Sequence, residues 1–528
     1  MSAAHEKSDV VVEEKQVALS YDVLSQVSHA EGIGRDYELK CNLNVFKKSA
    51  IGFGRYQWQL FVITGLGWLA DNLWLQGLAI VLPQVQQELN PVRVEYAVLA
   101  EFAGLIVGAT TWGIMADLIG RRLSFNITLF LAGVFGLAAG GAPNFVTFCS
   151  LIACMGFGVG GNLPVDGALY LEHIPQSHQW TLTLLSVWWA LGQLVASLIS
   201  WGFIANFSCI PSIPAGQCAK SANMGWRYTL YTLGALTFLM FICRFFVFDV
   251  QESSKFLVAQ GRDEEAIKVL EHIARRNGRT ITLKLKDLQA ISGDTTSKPV
   301  PNLSTNVRNA FSGISHVRPL FSSRRLAINT TLIIIIWGLI GIAYPLFNAY
   351  LPLYLSADSS TSGSSSVSET YRNYSIVSVL GVPGSLIACA TVDYTRGTGR
   401  WLVGGRKFVL AVSTMLTGLF LFLFTTSKTT AAVLGYSCAS GLTQNAMYGS
   451  CMQVFPAPHR GTGDALCSAL NRIGGFIAPL IKIATTPLDG SVSANTANGP
   501  VFVSATLFMV AAVLTILLPI ETAGKMAL

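Results

Sequence analysis

The sequence predicts an all-α polytopic membrane protein, with twelve transmembrane helices in two six-helix bundles, and three observations carry that reading. Only 12% of the 528 residues are charged and 51% are hydrophobic, against about 25% charged in soluble chains; the mean hydropathy is +0.49. The apolar residues fall in repeated runs of about twenty, the length that crosses a hydrocarbon core ~30 Å thick. A polar block then separates six of these runs from six more, a pattern that suggests duplication.

Residues 1–55 are polar, mixed in charge and without an apolar signal-peptide core, and read as a disordered tail. The first bundle occupies 56–248, with spans near 57–82 (ending at Pro83), 96–116, 123–142, 146–171, 181–206 and 226–248. Residues 249–325 form a basic linker, in which 263–277 has the periodicity of a short amphipathic helix. The second bundle, 326–520, has spans near 326–355, 374–392, 407–426, 431–455, 463–484 and 501–519, and 521–528 is a short tail. The serine-rich segment 356–370 reads as a loop.

Basic residues cluster after spans two, six, eight and ten, which predicts that these loops and both termini are cytosolic. The expected location is the plasma membrane or an endomembrane such as the vacuole. The net charge of +7 is spread between spans rather than gathered in a basic domain, so nucleic acid is not an expected partner. Ten scattered cysteines show no CxxC and no Cys/His ligand spacing, and neither a metal nor a cofactor is expected. Cys209 and Cys218 share one short loop and are equally compatible with a disulfide and with two free thiols. Asn206-Phe-Ser208 and Asn373-Tyr-Ser375 match the glycosylation sequon, both close to a span.

A charged glycine hinge, Gly113-Ile-Met-Ala-Asp117-Leu-Ile-Gly120-Arg121-Arg122, joins spans two and three. After span eight the chain repeats its parts as Asp393-Tyr-Thr-Arg396 and Gly405-Arg406-Lys407, with an insertion. Glu172-His-Ile-Pro175-Gln-Ser-His178 after span four matches Gln453-Val-Phe-Pro456-Ala-Pro-His459 after span ten. The halves also end alike, in Glu252-Ser-Ser-Lys255 and Pro519-Ile-Glu521-Thr522.

The hinge resembles the signature loop of the major facilitator superfamily. The run Gly156-Phe-Gly-Val-Gly160-Gly-Asn162-Leu-Pro164-Val, with Glu252-Ser-Ser-Lys-Phe-Leu, resembles the sugar-porter and synaptic-vesicle-2-like branch, fungal members in particular. The resemblance implies alternating access around a site between the bundles. It also implies a cytosolic charge cluster of Asp117, Arg121, Arg122, Glu172 and Glu252, mirrored by Asp393, Arg406, Lys407, Arg460 and Glu521, with Gln453 where an acid is usual. Such exposed pairs are individually worth ~1 kcal/mol or less, and several together bias a two-state equilibrium.

An ionised side chain costs several kcal/mol in a bilayer core, so one found there needs a partner or a function. Asp71, midway along span one, is the leading proton-coupling candidate. Proton-coupled sugar porters pair such an acid with an arginine in span four, where this chain has Ile152; Arg472 in span eleven is the alternative partner. Asp166 in span four is a second coupling candidate, Glu101 reads as a snorkelling rim residue, and Lys482 sits nearer the outer end. Asn72, Gln76, Asn162, Gln193, Asn348, Gln444, Asn445 and Tyr448 are candidate solute contacts or plain interhelical polar contacts, and Trp337 a candidate stacking surface. The glycine run in span four lies inside an apolar helix with no preceding strand, so it reads as close helix packing rather than a phosphate loop.

No nucleophile–base set or nucleotide motif stands out, which argues against an enzyme. The expected function is secondary active transport of a small polar metabolite (sugar, polyol or organic acid), proton-coupled, by a monomer in a lipid bilayer. Passive facilitation or export is the alternative, supported by Ile152. A non-transporting sensor or scaffold is a third reading, which the short tails disfavour.

Overall fold

The structure, a computed structural model, describes residues 51–175, 178, 180–210, 213–248, 250–281, 318–355, 367–392, 394–396, 403–427, 429–451, 460–485 and 494–520. Among these, ten helices are long and apolar enough to cross a membrane. Span four, Phe145–Val159 continued by Asn162–His173, and span ten, Thr430–Cys451, complete the twelve. The remaining spans are Arg55–Leu89, Glu95–Ile119, Arg121–Gly140, Thr181–Leu184 continued by Ser186–Phe207, and Gly225–Ile242 with a π turn at Cys243–Val247 in the first half. The second half contributes Arg324–Asn348, Val367–Thr391, Gly405–Thr426, Arg460–Thr485 and Ala494–Ile516.

One pairing scheme serves both halves. Spans one and five, two and four, and three and six pack together; so do seven and eleven, eight and ten, and nine and twelve. The halves then meet through spans two and eleven and through spans five and eight, which are equivalent contacts under the repeat. The close approach of spans two and four rests on small residues. A Cβ on Gly104 would come 2.0 Å from the Ala153 carbonyl oxygen, and one on Gly156 2.6 Å from that of Glu101. The glycine run therefore works as a packing surface.

Several boundaries differ from expectation. Span one does not end at Pro83 but runs to Leu89. Proline removes one ladder bond, and the turn beyond it is held from the start of span six and the residues just before it, where Asn223 Nδ2 donates to the Gln84 carbonyl (2.9 Å) and Trp226 Nε1 to Glu88 (2.7 Å). Span four is broken at Gly160-Gly161. Span eight begins at Val367, inside the stretch read as loop; Asn373 is thus helical and buried, which removes it as a glycosylation acceptor, whereas Asn206 is exposed. Cys209 and Cys218 form a disulfide in the loop after span five, on the face opposite the glycine hinge. The amphipathic helix is present as Asp263–Arg276. The tail 1–50, most of the linker and residues 521–528 lie outside the described residues.

Candidate functional site

A cavity lies between the halves, and helical spacing explains its wall. Trp68, Asp71 and Leu75 form one stripe of span one; Trp337, Gly341, Tyr344 and Pro345 one of span seven; Ser468, Asn471 and Arg472 one of span eleven. Spans two, four and five add Phe102, Leu105, Val159, Leu163, Ser186 and Trp189. Asp71 and Arg472 each stand midway along their helices, and both are buried. Their charges interact without a contact ion pair: Asp71 Oδ1 and Arg472 Nη1 have no hydrogen-bond partner among the described residues. Asn162 lies beside Asp71, off the wall.

Of the sequence-predicted contacts, then, the structure brings Asp71, Arg472 and Trp337 to one cavity. The predicted amides are elsewhere, and all but Asn162, which is buried with no hydrogen-bond partner among the described residues, are engaged there. Gln76 Nε2 donates to the Tyr344 hydroxyl (2.9 Å) and to Asn72 Oδ1 (3.3 Å), Asn72 Nδ2 to the Trp189 carbonyl (2.8 Å), and the Tyr374 hydroxyl to Gln76 Oε1. Gln193 lies beside Tyr374. In the second half Asn348 Nδ2 donates to Gln444 Oε1 (2.7 Å), Gln444 Nε2 to Ser440 Oγ (3.1 Å) and Asn445 Nδ2 to the Gly441 carbonyl (2.9 Å). A buried amide without a partner is costly; the Asn72–Trp189, Gln76–Tyr344, Gln76–Tyr374 and Asn348–Gln444 bonds join helices, and the others stay within one helix. The Gln76 bonds also join span one to spans seven and eight, as does Tyr371 donating to the Ile80 carbonyl (3.1 Å). The side chain of Tyr448 lies outside the described residues.

Asp166 does not open onto the cavity. Its Oδ2 accepts from Arg244 Nη2 at 2.7 Å, and both side chains are fully buried. Arg244 also donates to the carbonyls of Phe125 (2.7 Å) and Ile63 (3.1 Å) and stacks 3.2 Å from the Phe125 ring centroid, so one guanidinium ties spans one, three, four and six. Span one admits the pair only because residue 67 is glycine: a Cβ there would lie 1.6 Å from Asp166 Oδ2. A second buried pair, Arg227–Glu88 at 2.7 Å, closes the opposite end of the half, where Arg227 also reaches the Gly140 (3.0 Å) and Ala142 (2.8 Å) carbonyls. Sequence reasoning missed Arg227 and Arg244. Both stand inside the expected sixth span, 226–248, close to its two ends, and the signal was a cation in an otherwise apolar run.

Glu101 is not a rim residue. It is 3% exposed, covered where span two packs against spans four and eleven. Nearby, Lys482 Nζ sits 3.5 Å from the Tyr350 ring centroid and 5.0 Å from that of Tyr354, within electrostatic reach of Glu95.

At the first hinge Gly120 has φ +101°, the left-handed side that glycine tolerates, and it starts span three. Glu252 accepts from the backbone N–H groups of Arg121 (3.1 Å) and Arg122 (3.2 Å), an anion on a helix N-terminus. Arg121 Nη1 pairs with Glu172 at 2.6 Å. The expected cluster therefore forms around Arg121, Glu172 and Glu252, with Glu252 held by main chain. Gly405 repeats the geometry with φ +85°, and the insertion before it closes as a two-residue ladder, Thr395–Arg396 on Val403–Gly404. There Lys407 Nζ donates to the Leu518 carbonyl (2.6 Å), at the end of span twelve, and Arg325 Nη2 to that of Pro519 (2.9 Å). Asp393, Gln453 and Glu521, with the side chains of Asp117 and Arg460, lie outside the described residues.

Comparison with known proteins places this geometry. The Major Facilitator Superfamily pattern matches residues 60–479. The chain is 44% identical over 503 residues to a protein of Ceriporiopsis subvermispora called MFS siderochrome iron transporter 1, covering 93% of this chain and 92% of that one. It is 28% identical over 501 residues to the Synaptic vesicle 2-related protein of Xenopus laevis, covering 90% and 80%. Among solved structures, the proton:xylose symporter XylE bound to 6-bromo-6-deoxy-D-glucose matches with a TM-score of 0.66 at 17% identity, over 89% of this chain and 98% of that one.

Proposed function

Because the chain belongs to the major facilitator superfamily, and is thus a multi-pass membrane transporter rather than an enzyme, we propose that it is a secondary active carrier. Its cargo is a small polar metabolite, and it works by alternating access with Asp71 as the proton-coupling carboxyl. The observation that carries this reading is the cavity between the halves, with an acid from the first half and a base from the second on one wall. Asp71 binds a proton while Arg472 is engaged by cargo, and gives it up when Arg472 again becomes its electrostatic partner. Asn72, Gln76, Asn348 and Gln444 are engaged off the wall, and Arg472 is the one cation on it among the described residues, so among sugar, polyol and organic acid the wall favours the organic acid.

In this reading residues 56–248 and 326–520 move against each other and the 249–325 linker joins them. The Arg121–Glu172–Glu252 cluster keeps the hinge end of the first half rigid during that motion. The hinge face is cytosolic and the disulfide face is on the oxidising side, in the plasma membrane or an endomembrane; basic loops on one face and the Cys209–Cys218 bond on the other support this. Asp166, closed on Arg244, is a structural charge rather than a coupling group.

Uptake into proteoliposomes with and without an imposed pH gradient tests the proposal. Accumulation driven by the gradient, lost in Asp71→Asn and in Arg472→Gln, is expected. A charge exchange, Asp71→Arg with Arg472→Asp, that recovers part of it would establish the pairing. Gradient-independent equilibration would instead favour passive facilitation, the reading supported by Ile152, which is fully buried where proton-coupled sugar porters have an arginine.

A further inference from the structure

We infer that the solute held in this cavity is a small aromatic carboxylate, with its carboxylate on Arg472 and its ring against the indole and phenol faces of the wall. The inference rests on the carrier reading above and narrows its cargo.

Three features of the wall converge. First, five of its side chains are aromatic and come from four helices: Trp68, Phe102, Trp189, Trp337 and Tyr344. Leu75, Leu105, Val159, Leu163 and Pro345 add aliphatic surface between them, so a flat apolar ring finds partners on several sides. Second, the polar atoms left over are mainly donors. Arg472 Nη1, Trp68 Nε1 and Trp337 Nε1 have no acceptor among the described residues, and Asp71 Oδ1 is the one cavity-wall acceptor in the same condition. A carboxylate is an acceptor only, and a guanidinium fork matches its two oxygens. A hexose or polyol brings a donating hydroxyl on nearly every carbon, and beside Asp71 the wall offers it only the Asn471 amide and the Ser186, Ser468 and Tyr344 hydroxyls, while Gln76, Asn72, Asn348 and Gln444 are bonded off the wall. Third, Arg472 is buried without a contact ion pair among the described residues, so an anion can take it without first breaking one of these. When the anion occupies Arg472, a proton on Asp71 leaves the charge of the cavity unchanged, so anion and proton bind together.

Aromatic acids of this size cross bilayers unaided in their neutral form, so the test reads binding rather than flux. Purified full-length protein is titrated with benzoate, benzamide, cyclohexanecarboxylate and glucose, following tryptophan fluorescence and thermal shift. Benzoate is expected to bind; benzamide and glucose are expected to be weaker by about tenfold or more. Cyclohexanecarboxylate, which keeps the charge and loses the flat ring, is expected to be weaker by about three- to tenfold. Arg472→Gln should abolish the preference for benzoate over benzamide. Trp337→Phe, which keeps an aromatic face and loses the indole donor, should weaken benzoate about threefold.

Equal binding of benzoate and cyclohexanecarboxylate overturns the aromatic assignment, and an unchanged benzoate affinity in Arg472→Gln overturns the carboxylate site. Binding of glucose without benzoate overturns the inference and leaves the carrier reading standing. Binding of no member also overturns it; the carrier reading then falls only if proteoliposomes show no flux for a broad solute panel.

Discussion

The two halves of this molecule share a helix-pairing scheme and treat buried charge in different ways. In the first half the deep cations are matched: Arg244 with Asp166, Arg227 with Glu88. In the second half the buried charges among the described residues are Arg406, Arg472 and Lys482, all basic, and Lys482 rests on tyrosine rings. The buried acids Asp71, Glu95, Glu101 and Asp166 all belong to the first half. The surplus acid of one half thus faces the surplus base of the other, at Asp71 and Arg472 in the cavity and at Glu95 and Lys482 toward the disulfide face. Pairs inside one half hold a rigid body together; charges left over at the seam are free to change partner when the halves move. The hinges differ likewise. Glu252 holds the start of span three, whereas Lys407 holds the end of span twelve.

The Asp166–Arg244 pair offers the strongest way to break this comparison. Removing one member leaves a buried charge unmatched, so Arg244→Leu or Asp166→Leu should each cost about 3–5 kcal/mol of stability. The double substitution should cost less than either, as read from melting of purified protein. Transport retained by the double variant would confirm that the pair is structural, and loss of transport with a restored melt would return Asp166 to the coupling machinery.

Glycine substitutions come next. Gly67→Ala must displace Asp166 Oδ2 from 1.6 Å and should lower stability by about 1–3 kcal/mol, whereas Gly113→Ala, with nothing within 4 Å, should not. Equal melting shifts would mean that span one moves aside freely, and the rigid-body picture of the first half would fail.

At the seam, Lys482→Met should cost about 1 kcal/mol through its ring contacts. A double-mutant cycle with Glu95→Gln should show coupling between the halves; a cycle that closes additively would remove this contact from the seam.

The smallest effects belong to the hinges. Glu252→Gln should cost about 1 kcal/mol by leaving the N-terminus of span three without its anion. Lys407→Met should cost about 0.5 kcal/mol, since carbonyls at an exposed helix end recover water. Hydrogen exchange at residues 120–124 and 515–519 reads the two ends separately, and a larger response at span twelve would reverse the ranking.

Much of the site was legible from single residues. Asp71 and Arg472 announce themselves as charges in the middle of apolar runs, and Trp337 as a lone indole in the aliphatic run of span seven. For Asn72, Gln76, Asn348 and Gln444 the sequence left solute contact and interhelical contact both open, and for one reason. An amide in a span looks the same in sequence whether it faces a cavity or another amide, and only helix rotation distinguishes them. Arg244 and Arg227 were hidden by position, because a cation near the end of a span ordinarily snorkels to water. Here the neighbouring helices cover both.

By itself the chain determined how many times it crosses the bilayer, where its two glycine hinges lie and which half repeats which. These follow from apolar run length, glycine and charge, all local quantities. Tertiary structure alone decided partners: Asp166 meets Arg244 across 78 positions of sequence, and Gln76 meets Tyr374 across 298. In a helix bundle the contacts of a polar side chain depend on the rotation and depth of a neighbouring helix. That geometry is set by close packing of many small surfaces, and no single stretch of sequence carries it.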